Sequence, residues 1–114
     1  MCGRFTLRNT TRIASQFSVQ VGPQYNVAPS NDIFTITRSK EYMRWGYTPD
    51  WARSPMNLIN ARYETLKEKP SFQESKRCLI FADGWYEWSS QANLKAPYLF
   101  HANDDLLFFA GIYA

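Results

Sequence analysis

Two cysteines, Cys2 and Cys78, and one histidine, His101, are all that 114 residues carry of these types. There is no Cys-x-x-Cys pair and no His/Cys cluster with ligand spacing, so neither a metal nor a cofactor is expected. A single histidine in a strand-like run before a turn cannot support a Ser-His-Asp triad. No glycine-rich phosphate loop occurs. No basic segment followed by an apolar stretch precedes Cys2, as a secretory signal requires, and no apolar run is long enough to span a bilayer. A soluble intracellular chain is expected, where a Cys2–Cys78 disulfide is the less favoured alternative. Repeats, linkers and low-complexity segments are also missing.

Aromatic residues are abundant instead. They make up 17% of the chain, as 4 Trp, 7 Tyr and 8 Phe, and 45% of all residues are hydrophobic. Many strands or an aromatic-lined surface would both produce that excess. The formal net charge of +3 is compatible with a polyanionic partner without requiring one. The length fits one domain over residues 1–114.

Periodicity gives a coarse map. "CGRFTLR" alternates as a strand, with Phe5 and Leu7 on one face. "NTTRIASQF" reads as a helix capped by Asn9 or Thr10. "VGPQYNVAPSND" reads as a loop. "IFTITR" and "YMRWGY" read as strands joined by a turn at Ser39–Glu41, and "TPDWARSPMNLINAR" as a long loop. Ser71 and Glu74 form a capping box that predicts a short helix through Lys76. "CLIFADGWYEW", bent at Asp83-Gly84, "PYLFHA" and "LLFFAGIYA" read as strands, with turns at "QANLK" and "NDD". The expected fold is α+β, with about six strands in a mostly antiparallel, strongly bent sheet or partial β-barrel and two or three short helices. The final "AGIYA" reads as strand interior and predicts an open apolar sheet edge, through which the chain would self-associate.

Cys2 directly follows the initiator Met1. Once Met1 is trimmed, Cys2 carries an α-amine with a pKa of about 8 and a thiol near 8.5 on adjacent carbons. The amine can attack an aldehyde to give an imine, and the thiol can then close a five-membered thiazolidine. Position alone does not separate this from a small residue opening a strand. In "NLINARYET", Asn60, Arg62 and Glu64 alternate. Asn60 could hydrogen-bond a reacting group and Arg62 could grip a phosphate, or the segment is a polar loop entering a helix. In "DGWYEW", Glu87 lies among Trp85, Tyr86 and Trp88. Buried there, its carboxyl would be pushed up and would suit general acid/base work; exposed, it is a surface position. Arg4 and Arg62 with Trp45, Tyr47 and Trp51 have the mix of cation and ring that single strands of nucleic acid favour, though solvated arginines and core tryptophans look the same in sequence. Cys78 opens an apolar run as a core thiol.

Together, "MCGRF", "YNVAP", "WGYTPDW" with "INARYET", and "FADGWYEW" resemble the SRAP (SOS response-associated peptidase) family, in matching order and over nearly the whole chain. The resemblance implies a protein of DNA damage repair and the SOS response. It would bind single-stranded DNA and crosslink to abasic sites through a thiazolidine on Cys2, with peptidase and lyase activities attached. Carried over, Cys2 is the nucleophile, Asn60 orients the amine and the sugar, and Glu87 is the acid/base for sugar ring opening. Arg4 and Arg62 hold phosphates, and Asn26, Pro29 and Trp51 shape the groove. A bacterial cytoplasmic or nucleoid-associated location follows. Family members are longer and carry a further histidine in their second half, so the chain reads as lacking the C-terminal half of the fold. His101 does not fill that role.

Two other classes compete. N-terminal-nucleophile glutamine amidotransferases also open Met-Cys-Gly, but Arg4-Phe5 follows here and their later Arg-Gly and Asn-Gly segments are missing. A DNA-binding module without turnover would keep the groove and never form the crosslink.

Overall fold

The computed structural model describes residues 2–89, 95–103 and 105–114. Met1, most of the expected turn at Gln91–Lys95 and the middle residue of the "NDD" turn lie outside them. Eight strands, one α-helix and one 3₁₀ turn occur among the described residues. They are β1 (Phe5–Leu7), α1 (Thr10–Phe17), β2 (Gln24–Val27), β3 (Asp32–Ile36), β4 (Lys40–Arg44), the 3₁₀ turn (Tyr63–Thr65), β5 (Lys76–Ala82), β6 (Gly84–Ser89), β7 (Ala96–Phe100) and β8 (Leu107–Tyr113).

The strands form two four-stranded sheets, ordered β2-β1-β6-β7 and β4-β3-β5-β8. The pairings with a described register are antiparallel, as expected. The expected barrel is not formed, because each sheet order ends in two edge strands. The chain divides into two compact units, one of Cys2–Ala28 with Phe81–Phe109 and the other mainly of Pro29–Ile80 with Ala110–Ala114.

The first unit is built around β1. Phe5, Thr6 and Leu7 are all buried, as in a central strand covered on both faces. The Thr6 hydroxyl donates to the Gln24 carbonyl at 3.4 Å, so its polar atom has a partner in the interior. Ile13 is the fully buried residue of α1. Phe17, Phe81 and Phe108 pack with ring centroids 4.9 to 5.9 Å apart, and Phe5 meets Phe109 edge-on at 5.6 Å. β2 replaces the expected loop. Its burial pattern shows no alternation, only Val27 is buried, and flanking Gly22, Pro23 and Pro29 hide it from a periodicity search.

A buried carboxylate fixes the corner after β1. Asp83 is 1% exposed and sits in the break between β5 and β6. It accepts backbone N–H bonds from Arg8 at 2.6 Å and Asn9 at 2.7 Å, and its other oxygen lies 3.5 Å from Arg8 Nε. Asn9 is the N-cap of α1 as expected, but its side chain makes no cap bond. Asp83 takes the N-cap residue's own N–H from across the sheet instead. Gly84 follows because nothing larger fits. A Cβ there would come 2.9 Å from the Phe100 carbonyl oxygen and 3.0 Å from Leu99 Cδ1.

The second unit has its own core of Ile33, Phe34, Leu66, Phe72 and Cys78, with Tyr47 against Phe72 at 5.5 Å. β3 and β4 form the expected hairpin, but the turn is Thr37–Ser39, and Glu41 lies within β4. β4 ends at Arg44, short of the expected Tyr47, because Gly46 adopts φ 141°, a conformation side chains avoid. The helix expected from Ser71 and Glu74 is not formed. Residues 66–75 make successive turns instead, such as Phe72 N–H to the Lys69 carbonyl. β5 begins at Lys76 and draws the chain extended into the sheet before a helix opened at Ser71 could propagate.

Candidate active site

Cys2, Arg4, Asn26 and Glu87 fall in the first unit, where β1 brings them to one end of one sheet. β6 extends its pairing past Phe5, and the Tyr86 N–H donates to the Arg4 carbonyl at 3.0 Å. The same carbonyl accepts the Cys2 thiol at 3.3 Å. On the other flank, Arg4 Nη1 donates to Asn26 Oδ1 at 3.0 Å, and β2 carries Asn26. The Tyr86 hydroxyl donates to the Tyr25 carbonyl at 3.1 Å and closes the ring of contacts.

Cys2 and Glu87 are each half-buried. Burial pushes the Cys2 thiol above the usual 9.0. The charge of Glu87 adds to the rise, while a hydrogen bond from the Arg4 backbone takes part of it back. The sulfur is therefore held as a thiol at neutral pH, and the carboxylate of Glu87 is close enough to act on it electrostatically. The space over Gly3 is open. A Cβ there would meet nothing within 4 Å. Packing does not require the glycine.

Pro29, Trp51, Asn60 and Arg62 fall in the second unit. Trp45 ties two of their segments together. Its carbonyl accepts the Ser30 N–H at 2.8 Å, next to Pro29, and its indole N–H donates to the Ile59 carbonyl at 2.9 Å, next to Asn60. Tyr47 and Leu58 exchange backbone bonds at 2.8 and 2.9 Å, and the Thr48 hydroxyl accepts the N–H groups of Met56 and Asn57. The long loop is thus a pinned hairpin-like turn. Asn60 is half-buried, Arg62 is exposed, and Trp51 presents its ring at 57% exposure. Trp45 and Tyr47 are both half-buried and both tie this loop together. His101 is exposed.

Tyr86 and Asp83 are parts of this arrangement that sequence reasoning assigned no such role. The Asp83 partners lie 75 and 74 residues away, beyond any local pattern. No group of three or more His, Cys, Asp and Glu side chains that could hold a metal ion occurs among the described residues.

The model of the SOS response associated peptidase (SRAP) family matches residues 1–114. A Bacillus subtilis relative, the abasic site processing protein YoqW, is 42% identical, with 99% of this chain covering 60% of that protein. The Escherichia coli abasic site processing protein YedK is 33% identical, with 98% of this chain covering 59% of it. A crystal structure of a Bacteroides thetaiotaomicron protein superimposes with a TM-score of 0.84 at 28% identity, over 97% of this chain and 59% of that one. The chain spans about 60% of the length of the curated relatives it matches.

Proposed function

The chain belongs to the SOS response-associated peptidase family, and on that premise we propose that it processes abasic sites in single-stranded DNA by crosslinking to them through Cys2. The carrying observation is the cluster at the end of the first sheet. The Cys2 thiol is held by the Arg4 backbone within the field of Glu87, and the Arg4 guanidinium is held by Asn26.

Chemistry follows from this arrangement once Met1 is removed. The abasic sugar must open to its aldehyde, which moves a proton from the anomeric hydroxyl to the ring oxygen. Glu87 is the acid/base for that transfer. The Cys2 amine then attacks the aldehyde carbon, and loss of one water leaves an imine. The S–H adds across the C=N bond. Sulfur bonds to carbon, the proton ends on nitrogen, and the five-membered ring closes. A thiol kept protonated favours this order, with nitrogen leading and sulfur following. It disfavours a thiolate-first attack on a glutamine amide.

Arg4 holds a backbone phosphate beside the abasic site. In the second unit, Asn60 is assigned to orient the amine and the sugar, Arg62 to hold a phosphate, and Trp51 and Pro29 to shape the groove. Asn26 contributes through Arg4. The family resemblance supports these assignments, and the exposure of Arg62 and Trp51 is compatible with them.

The test is incubation of the purified chain with single-stranded DNA bearing one abasic site, read on a denaturing gel without reductant. A heat-stable conjugate that is lost in Cys2→Ala supports the proposal. A conjugate that persists in Cys2→Ala, or none from folded protein, refutes it.

A further inference from the structure

A second cationic feature lies in the Pro29–Ile80 and Ala110–Ala114 unit. The end of β3, the start of β5 and the end of β8 line an open cavity of about 740 Å³. Arg38, Lys76 and Arg77 line it, together with Cys78, Leu79 and Tyr113, and no acidic residue among the described residues does. The antiparallel register pairs Ile36 with Leu79. Arg38 sits in the turn that follows β3, and Arg77 lies near the start of β5. Cations gathered around one cavity repel one another, and a bound anion would relieve that. Arg77 Nη1 donates only to Ser75 Oγ, at 3.4 Å, and no ion pair of the described residues involves any of the three. Lys76 Nζ lies 5.6 Å over the Tyr113 ring, so a cation and an aromatic face share one wall.

Charge is distributed to match. This unit holds nine Lys and Arg against six Asp and Glu, whereas the unit carrying Cys2 holds four of each sign. The formal +3 of the chain therefore belongs entirely to the unit with the cavity. Two guanidinium forks, an ammonium and a half-buried aromatic ring suit phosphodiester groups with a base or sugar against the ring.

We infer that the cavity lined by Arg38, Lys76 and Arg77 is a phosphate-binding site for a nucleic-acid strand, separate from the Arg4 and Arg62 assignments. The identity of the strand rests on the proposed action on DNA; the site itself does not depend on Cys2 chemistry.

The measurement is fluorescence anisotropy with an undamaged, labelled deoxythymidine oligonucleotide over a series of salt concentrations. Each phosphate contact on a single strand contributes a slope of about −0.7 in log K against log salt. The triple variant Arg38→Gln, Lys76→Gln, Arg77→Gln should lower the slope by about 2. The control variant Arg44→Gln, Arg53→Gln, Lys67→Gln removes the same charge from other exposed positions and should leave the slope near wild type. An unchanged slope in the first variant, an equal loss in both, or no binding by wild type overturns the inference. Crosslinking to abasic DNA is scored separately. Its absence with an intact slope refutes the Cys2 reading alone, and the converse refutes only this site.

Discussion

Burial raises the pKa of the Cys2 thiol, and the charge of Glu87 raises it further. A negative neighbour disfavours the thiolate, so its removal must lower the thiol pKa. In Glu87→Gln, the pH at which Cys2 becomes reactive toward a neutral alkylating reagent should fall relative to wild type, in a Cys78→Ala background. An unchanged or higher value would show that the carboxylate does not act on the sulfur. Crosslinking by the same variant should slow, most of all where sugar opening limits the rate, by about 10²-fold or more. Residue chemistry was partly legible. An N-terminal cysteine carries its two nucleophiles wherever the chain goes, so Cys2 stood out. The Arg4–Asn26 bond did not, because 22 residues and an unrecognised strand separate them.

At the scale of elements, β1 is the part that carries Cys2 and Arg4 to β6, and Asp83 holds its far end. Asp83→Ala would leave the part-buried N–H groups of Arg8 and Asn9 without their acceptor. At about 1–3 kcal/mol for each lost partner, the variant should lose about 3 kcal/mol of unfolding free energy in a urea titration. A loss below about 1 kcal/mol would show that water or the loop replaces the carboxylate. Gly84→Ala should also destabilise, because its Cβ would press on a backbone oxygen that cannot move without disturbing the β6–β7 ladder. Alternation made β1 readable, short apolar runs bounded by turn residues made β3, β5 and β8 readable, and the apolar stripe with Ile13 made α1 readable. The Asp83-Gly84 bend was visible, but its cause was not, since the groups it binds come from the other end of the sequence. The helix expected at residues 71–76 does not form because β5 takes the chain into the sheet at Lys76, a tertiary pairing that the local capping signal does not show. The barrel failed because the number of strands says nothing about whether their sheets close.

For the whole molecule, every resolved pKa shift among the described residues has the same sign. Burial raises Cys2 and Cys78 above 9.0 and Tyr47 above 10.0, with Asp50 and Glu74 adding to the rise at Tyr47. A group whose folded pKa is raised contributes stability that is complete below its unfolded pKa and is lost as pH rises through the folded value. Unfolding free energy should therefore decline from about pH 9 upward in denaturant titrations, and Cys78→Ala should soften that decline. A stability that rises over that range would contradict the assigned shifts. The division of charge between the two units belongs to this scale too. It was countable in the sequence, yet only the fold shows that the surplus lies away from Cys2 in the chain's division into units.

The central claim is that Cys2 contributes both its nitrogen and its sulfur to one bond network with an abasic sugar. Intact mass of the unreduced conjugate, followed by denaturation and alkylation with iodoacetamide, tests it most directly. The account predicts a conjugate of the chain without Met1 plus the DNA minus one water, with a single alkylated thiol, Cys78, because the Cys2 sulfur is locked in the ring. A conjugate that retains Met1, or one in which both cysteines are alkylated, would contradict it.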